Sequence, residues 1–169
     1  ASAQWQTING VSSFDIANGG IAVDNLKLSQ AGKPLIQGKE YVFEFDAWSQ
    51  APRYIEAKVG KAASPFTSYS TNGFTFLTPT PTHFRYVFTM QQPSDFNASV
   101  IFNLGTSMFD VFLSNVSLFS PLPGDFNLDH CVNSEDLSIL TGEWLRQQSG
   151  LTADLNGDGR PDIAACAEH

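Results

Sequence analysis

Apolar and polar residues alternate along short segments in the first two thirds of the chain. The clearest segment is 41–48, which reads YVFEFDAW. Successive side chains of a β-strand point to opposite faces. One face should therefore carry four apolar side chains that join the core, namely Tyr41, Phe43, Phe45 and Ala47. The other face should carry Val42, Glu44, Asp46 and Trp48.

Further strands are predicted at 53–59, 84–90, 99–104 and 110–119, where β-branched and aromatic residues are frequent. Glycine and proline residues bound these segments, and no long stretch has helical periodicity. The pattern is typical of an all-β fold, a jelly-roll β-sandwich with about eight to ten strands.

The composition changes after residue 120. The sequence Pro-Leu-Pro-Gly at 121–124 ends the last strand, because proline cannot donate to a β-ladder. Beyond it, Asp and Asn recur at alternate positions, and the apolar residues of 134–146 have near-helical spacing. We therefore predict a β-sandwich domain at 1–120, a linker at 121–124 and a small α-helical, acidic appendage at 125–169.

Charge and cysteine usage restrict the partners and the compartment. The 169 residues include 9 Lys+Arg and 17 Asp+Glu, a net charge of -8 that repels nucleic acid and anionic membranes. No segment approaches the roughly 18 apolar residues of a membrane span, and the start of the chain lacks signal-peptide features, as in a mature or excised fragment. Cys131 and Cys166 both fall in the tail, which favours a secreted, extracellular protein; whether they form a disulfide stays open.

The first part of the tail has the spacing of a calcium loop. In 125–136, oxygen-bearing side chains occupy loop positions one, three, five, nine and twelve, which are Asp125, Asn127, Asp129, Asn133 and Asp136. Position seven supplies a backbone carbonyl in such loops, here that of Cys131. His130 occupies the sharp-turn position that glycine usually holds. The pattern predicts a Ca²⁺ site.

A second copy of the pattern follows closer to the end of the chain. Its candidate ligands are Asp154, Asn156, Asp158 and Asp162, with the carbonyl of Arg160 at position seven. Position twelve is Ala165, so this loop lacks the carboxylate that usually closes the site. The alternative interpretation is that these Asp/Asn/Gly clusters are ordinary turns, but two copies flanking a predicted helix favour calcium binding.

The duplicated loop resembles a dockerin over residues 124–169. Dockerins are small, EF-hand-like calcium-dependent modules that attach enzymes to cohesin domains. The resemblance implies Ca²⁺ as a cofactor and a cohesin-like protein as a partner of the tail. A local structural role for the tail is the alternative.

The sandwich resembles carbohydrate-binding modules of families 4 and 9. The resemblance is carried by the segments 38–47 (GKEYVFEFDA), 102–105 (FNLG) and 110–118 (DVFLSNVSL). It implies a jelly roll that binds a single β-glucan or xylan chain in a concave cleft, often with a structural calcium. It further implies a non-catalytic accessory module of a secreted glycoside hydrolase.

Sugar rings present apolar faces and hydroxyl groups, so a glycan site needs aromatic surfaces and polar side chains. Trp48 supplies a broad apolar ring, with Glu44 and Asp46 on the same predicted face. On 99–103 the amide of Asn103 should point away from the core, which matches a clamping role in the resembled family. The remaining candidates are Arg53 and Tyr54 after a turn, Tyr69 in a Ser/Pro-rich loop suited to the rim of a cleft, and Arg85 at an outward strand position. Packing is the alternative for the tyrosines, and a solvated charge is the alternative for Arg85.

Two other functional classes compete with glycan binding. Glu44 and Asp46 are neighbours on one strand face, whereas the carboxylates of a glycosidase flank the sugar from opposite sides. Catalysis is therefore not expected. A structural or adhesive surface module, whose tail docks a protein partner, is the alternative function.

Overall fold

The computed structural model describes residues 1–70, 73–127, 129, 131–144, 146, 150–154 and 160–161. The chain forms two compact units, Ala1–Ser120 and Pro121–His169. The division between them falls at the start of the Pro-Leu-Pro-Gly segment.

The first unit contains nine β-strands and one turn of 3-10 helix, Val23–Asn25. The strands are β1 (Ser2–Ile8), β2 (Val11–Asn18), β3 (Lys27–Leu35), β4 (Glu40–Ser49), β5 (Arg53–Lys61), β6 (Phe74–Leu77), β7 (Thr82–Thr89), β8 (Asp95–Asn103) and β9 (Val111–Phe119). They form a five-stranded sheet in the order β1-β2-β9-β4-β7 and a four-stranded sheet in the order β3-β8-β5-β6. All pairings are antiparallel, which confirms the predicted β-sandwich.

The core lies between the two sheets. Tyr41, Phe43, Phe45 and Ala47 of β4 are all buried, as their alternation predicts. Phe102 of β8 meets them from the opposite sheet, with its ring centroid 5.7 Å from that of Phe43 and 5.0 Å from that of Phe45. Aromatic rings bury large apolar areas, so these contacts hold the two sheets together.

The sheet order changes the meaning of the outward faces. β4 belongs to the five-stranded sheet and β8 to the four-stranded sheet. Both strands turn their buried residues towards the same core, so their outward residues lie on opposite sides of the sandwich. Trp48 and Asn103 therefore cannot line one cleft, which corrects the predicted grouping.

The second unit contains one helix among its described residues, α1 (Ser134–Glu143). Its N-cap is Asn133, whose side chain accepts a hydrogen bond from the backbone N–H of Glu135, 2.7 Å away. Leu140 of this helix packs with Phe126 and Ala153 in a small apolar cluster. The described part of the tail thus holds a single short helix, not a pair of EF-hand-like helices. No helix within the described ranges has the length and apolar content to cross a membrane.

Candidate functional site

A transverse row of outward side chains crosses the four-stranded sheet. Lys27 of β3 pairs with Asn103 of β8, Asn103 pairs with Glu56 of β5, and Glu56 pairs with Phe74 of β6. Neighbouring strands lie about 4.8 Å apart, so the row extends over about 14 Å. We call this surface the four-stranded face.

Three aromatic side chains at the β5/β6 end of this face are exposed. Tyr54 is 58% exposed, Phe76 is 48% exposed and Phe74 is 67% exposed. Tyr54 and Phe76 are register partners whose ring centroids lie 4.9 Å apart at an interplanar angle of 49°. Large apolar side chains that cluster at the surface commonly mark a binding site. These three rings form an apolar platform beside the polar row.

The middle of the row is a polar network. Glu56 Oε2 accepts a hydrogen bond from Lys58 Nζ at 3.0 Å and another from the side-chain amide of Asn103. Asn103 is 2% exposed, and its Oδ1 atom has no hydrogen-bond partner among the described residues. A buried carbonyl oxygen without a donor is costly. The Asn103 oxygen is therefore an unsatisfied acceptor beneath the surface of the polar network.

β8 forms the floor of the four-stranded face. Its outward residues Ser99, Ile101 and Asn103 are 3%, 3% and 2% exposed although they point away from the core. Side chains of the flanking strands and of the loop after β5 must therefore rise above them.

The loop after β5 lies beside the four-stranded face. Its backbone is tied to β5, because the N–H groups of Tyr69 and Ser70 both donate to the carbonyl of Val59, at 2.8 and 3.1 Å. Phe66 in this loop is 49% exposed. The ammonium of Lys27 lies 4.7 Å from the centroid of the Phe66 ring, a cation–π contact that joins the loop to the edge strand β3.

Arg53 has a structural position and does not lie on either outward face. It is 5% exposed, and its guanidinium donates to the carbonyls of Phe109 at 2.6 Å, Gly105 at 3.2 Å and Leu104. Burial lowers the pKa of Arg53, and the nearby Asp110 opposes that change. The predicted contact between Arg53 and a glycan is therefore replaced by a role in holding the loop 104–109.

Tyr69 also differs from its predicted position at the rim. Its ring packs against the core cluster, and its hydroxyl donates to Asp95 Oδ2 at 2.7 Å. Burial, followed by the hydrogen bond to Asp95, raises the pKa of Tyr69 to about 12. Tyr69 thus anchors the loop after β5 rather than offering a free hydroxyl to a ligand.

The remaining predicted residues lie on the outward face of the five-stranded sheet. Trp48 is partly buried and stacks on Phe112, with ring centroids 5.4 Å apart and an interplanar angle of 12°. Its ring face is thus largely occupied by a neighbour. The outward direction predicted for Trp48 is correct, but a stacked and partly covered indole leaves less surface for a sugar.

The predicted acidic residues of that face also have partners. Asp46 accepts a hydrogen bond from the side-chain amide of Asn115 at 2.6 Å, and His83 Nδ1 lies 2.7 Å from its other oxygen. These two contacts, with Asn115 first, lower the pKa of Asp46. Arg85 pairs across the strands with Glu44, with 3.8 Å between Nε and Oε2. The five-stranded face is therefore a network of mutually paired charges.

Several residues of the four-stranded face were not predicted from the sequence as site residues. They are Lys27, Glu56, Lys58, Phe74 and Phe76. The alternation in 53–59 could have found two of them, because Glu56 and Lys58 share a side with Tyr54, opposite Ile55, Ala57 and Val59.

A comparison with known families identifies the sandwich. The profile of the CBM_4_9 family, described as a carbohydrate binding domain, matches residues 2–108. The chain belongs to this family. No significant match was found among curated proteins. The family match does not extend into the tail, and the comparisons do not support its dockerin resemblance.

Solved structures of carbohydrate-binding modules share the fold. A structure titled "CBM4 structure and function" is 23% identical, with a TM-score of 0.64 over 70% of this chain and 77% of that chain. The second N-terminal cellulose-binding domain of Cellulomonas fimi β-1,4-glucanase C is 22% identical, with a TM-score of 0.58 over 70% and 80%. The N-terminal cellulose-binding domain of the same enzyme is 20% identical, with a TM-score of 0.57 over 69% and 82%.

In the predicted calcium loop, carboxylates bind the backbone of the loop. Asp136 is 1% exposed and accepts hydrogen bonds from the N–H groups of Phe126, Asn127 and Asn133 at 2.7, 3.2 and 2.8 Å. Burial opposes ionisation, but these amides prevail and lower the pKa of Asp136. Asp125 Oδ1 accepts from the N–H of Asp129 at 3.0 Å. Both carboxylates therefore hold the backbone of the loop in place.

Only part of the predicted metal set can be examined in the structure. Among the described residues, no group of three or more His, Cys, Asp and Glu side chains is placed to hold a metal ion. Asn156, Asp158 and Asp162 lie outside the described residues, and so does Cys166. Calcium binding and the disulfide stay predictions.

Proposed function

We propose that this module binds a single β-1,4-linked glycan chain, a β-glucan or a xylan, on the four-stranded face and carries out no catalysis. The observation that supports this most strongly is the exposed aromatic pair Tyr54 and Phe76 beside the polar row of Lys27, Asn103 and Glu56. The location differs from the Trp48 face that the sequence favoured, because the exposed rings lie on the opposite side of the sandwich.

The chemistry of the face fits a neutral polysaccharide. Aromatic rings stack on the C–H faces of sugar rings, a contact that combines apolar burial with a defined orientation. The partly exposed Glu56 and Lys58 pair offers an acceptor and a donor to sugar hydroxyls. The strand spacing along the row is similar to the length of one sugar residue, so a chain running across the strands meets a new side chain with each residue.

Two of the structures with this fold are described as cellulose-binding domains. Their descriptions support glucan chains as the first ligands to test. Glu56 is bonded to Lys58 and Asn103, an arrangement that suits hydrogen bonding to hydroxyls rather than proton transfer. We further propose that the module accompanies a catalytic domain in a secreted glycoside hydrolase.

The test is titration calorimetry with cellohexaose and xylohexaose. Tyr54→Ala and Phe76→Ala should each weaken binding by roughly tenfold, because an aromatic contact contributes about 1 kcal/mol or more beyond lost area. Trp48→Ala is the matched control on the opposite face and should bind like the wild type. Far-ultraviolet circular dichroism checks that each variant is folded.

The alternative outcomes are equally specific. Loss of binding in Trp48→Ala, with Tyr54→Ala unchanged, would transfer the site to the five-stranded sheet. Absence of binding to both oligosaccharides by the folded wild-type chain would contradict the proposed ligand class. It would favour the adhesive or docking role.

Calcium binding by the first tail loop, and docking of the tail to a cohesin-like protein, are separate proposals. The spacing of oxygen-bearing side chains in 125–136 supports the first, because it matches the ligand positions of a calcium loop. If bound, Ca²⁺ would be held by Asp125, Asn127, Asp129 and Asp136, and would stabilise the fold of the loop.

A further inference from the structure

The edge strand of the five-stranded sheet carries an uncovered tryptophan. Every residue of β1 is exposed, and Trp5 is 68% exposed. Trp5 is the register partner of Phe14, a buried core residue, so both side chains lie on the inner side of the sheet. Because β1 is the last strand, the inner side is open there, and the indole is directed to the gap between the two sheets.

This gap contains a cavity of about 210 Å³. Trp5 and Phe14 line it from the five-stranded sheet, and Lys27 and Leu28 line it from the edge strand β3. The cavity is thus an apolar groove with one broad aromatic wall and one charged side chain at its rim. Its volume is sufficient for a single sugar ring.

The groove is continuous with the four-stranded face through Lys27. This residue lines the cavity and is also the β3 member of the transverse row. Its ammonium lies over the ring of Phe66, in the loop after β5. A chain that follows the row from β6 to β3 therefore leaves the sheet at Lys27 and meets the indole of Trp5.

We propose that the groove at Trp5 is a terminal subsite for the same glycan chain, in which the indole stacks on the sugar ring beyond Lys27. The proposal rests on the proposed function. A sugar suits this site better than a protein, since a stable protein interface buries about 800 Å² per partner and the groove offers little more than one ring.

The experiment compares oligosaccharides of increasing length, from cellotriose to cellohexaose and in the matching xylo-series. The wild-type chain should gain affinity with each added sugar up to the longest ligand. Trp5→Ala should bind the shortest ligand like the wild type but lose roughly three- to tenfold for the longest, the loss that one aromatic contact produces. Trp5→Tyr should restore much of the affinity for the longest ligand that Trp5→Ala loses.

Ile8→Ala is the matched control, because Ile8 is an apolar residue of β1 that is 59% exposed and lies on the other side of the strand from Trp5. Its binding should equal that of the wild type at every length. Tyr54→Ala, in contrast, should weaken the binding of ligands of all lengths. Unchanged binding by Tyr54→Ala would count against the proposed function rather than the subsite.

Three results would overturn the subsite. The first is identical binding by Trp5→Ala and the wild type at every length. The second is an equal loss for short and long ligands, which would place Trp5 within the central site. The third is a wild-type chain that sediments as a dimer and a Trp5→Ala variant that sediments as a monomer. That result would assign the indole to a contact between copies of the chain.

Discussion

Replacement of Arg53 by methionine tests the strongest disagreement between the sequence prediction and the structure. The sequence predicts a glycan contact, whereas the structure shows a buried guanidinium bonded to three backbone carbonyls. Methionine keeps most of the apolar stem and removes the donors. The structural role therefore predicts a loss of stability without a direct loss of glycan contacts.

The size of this loss of stability follows from the backbone carbonyls that lose their donor in the variant. A hydrogen bond that involves a charged group contributes about 1.5–3 kcal/mol, and each buried carbonyl that loses its donor costs about 1–3 kcal/mol. Removing the guanidinium recovers part of this lost free energy, because a buried charge is itself unfavourable. The lowered pKa of Arg53, caused by burial, reflects that cost. We expect Arg53→Met to lower the free energy of unfolding by about 2–4 kcal/mol.

Urea unfolding of the wild type and the variant measures this difference. The midpoint should fall by roughly 1–2 M. Arg85→Met is the matched control, since the Arg85 side chain is 33% exposed and lies 3.8 Å from Glu44; it should change the free energy of unfolding by less than about 1 kcal/mol. A variant Arg53→Met that is as stable as the wild type and no longer binds glycan would refute the structural assignment.

Two further predictions concern ionisation and metal. In ultraviolet titration of the folded chain, the phenol of Tyr69 should ionise at about 12, and Tyr69→Phe should remove that late step. Since folding raises the pKa of Tyr69, the contribution of this residue to stability is complete below roughly pH 10, its unfolded pKa, and is lost as the pH rises through its folded pKa. A tyrosine titration without a late step would contradict the burial of Tyr69. For the tail, a chelator should lower the melting temperature and added Ca²⁺ should restore it, whereas identical melting curves would exclude calcium as a stabilising ligand.

The sequence predicts the sandwich well because its central strands carry strict alternation. The buried set of β4 is the predicted one, and Val100 and Phe102 of β8 point inwards as expected. The edge strand β1 is not predicted, because all its residues are exposed and no apolar side distinguishes it. β3 is interrupted by Gly32 and Pro34, with register shifts beside them, which hides its alternation.

The candidate site is less predictable, for a definite physical reason. Alternation along a strand tells which residues point away from the core, but not which sheet the strand joins. Trp48 and Asn103 were therefore both assigned correctly to outward positions and yet belong to opposite sides of the molecule. Arg53 shares its side of β5 with Ile55, a core residue, and that shared side was the signal for its burial.

The transverse row sets a rule for how this surface can vary. Its four members come from four strands and are aligned by three separate backbone pairings. A point substitution in the row changes one chemical group and leaves its position unchanged. An insertion or deletion of one residue in β8 would turn Asn103 inwards and bring a core side chain to the surface, so the pairing on both sides would fail together. Natural variants of this module should therefore differ in ligand preference through exchanges at these four positions, while the lengths of the strands that carry them stay constant.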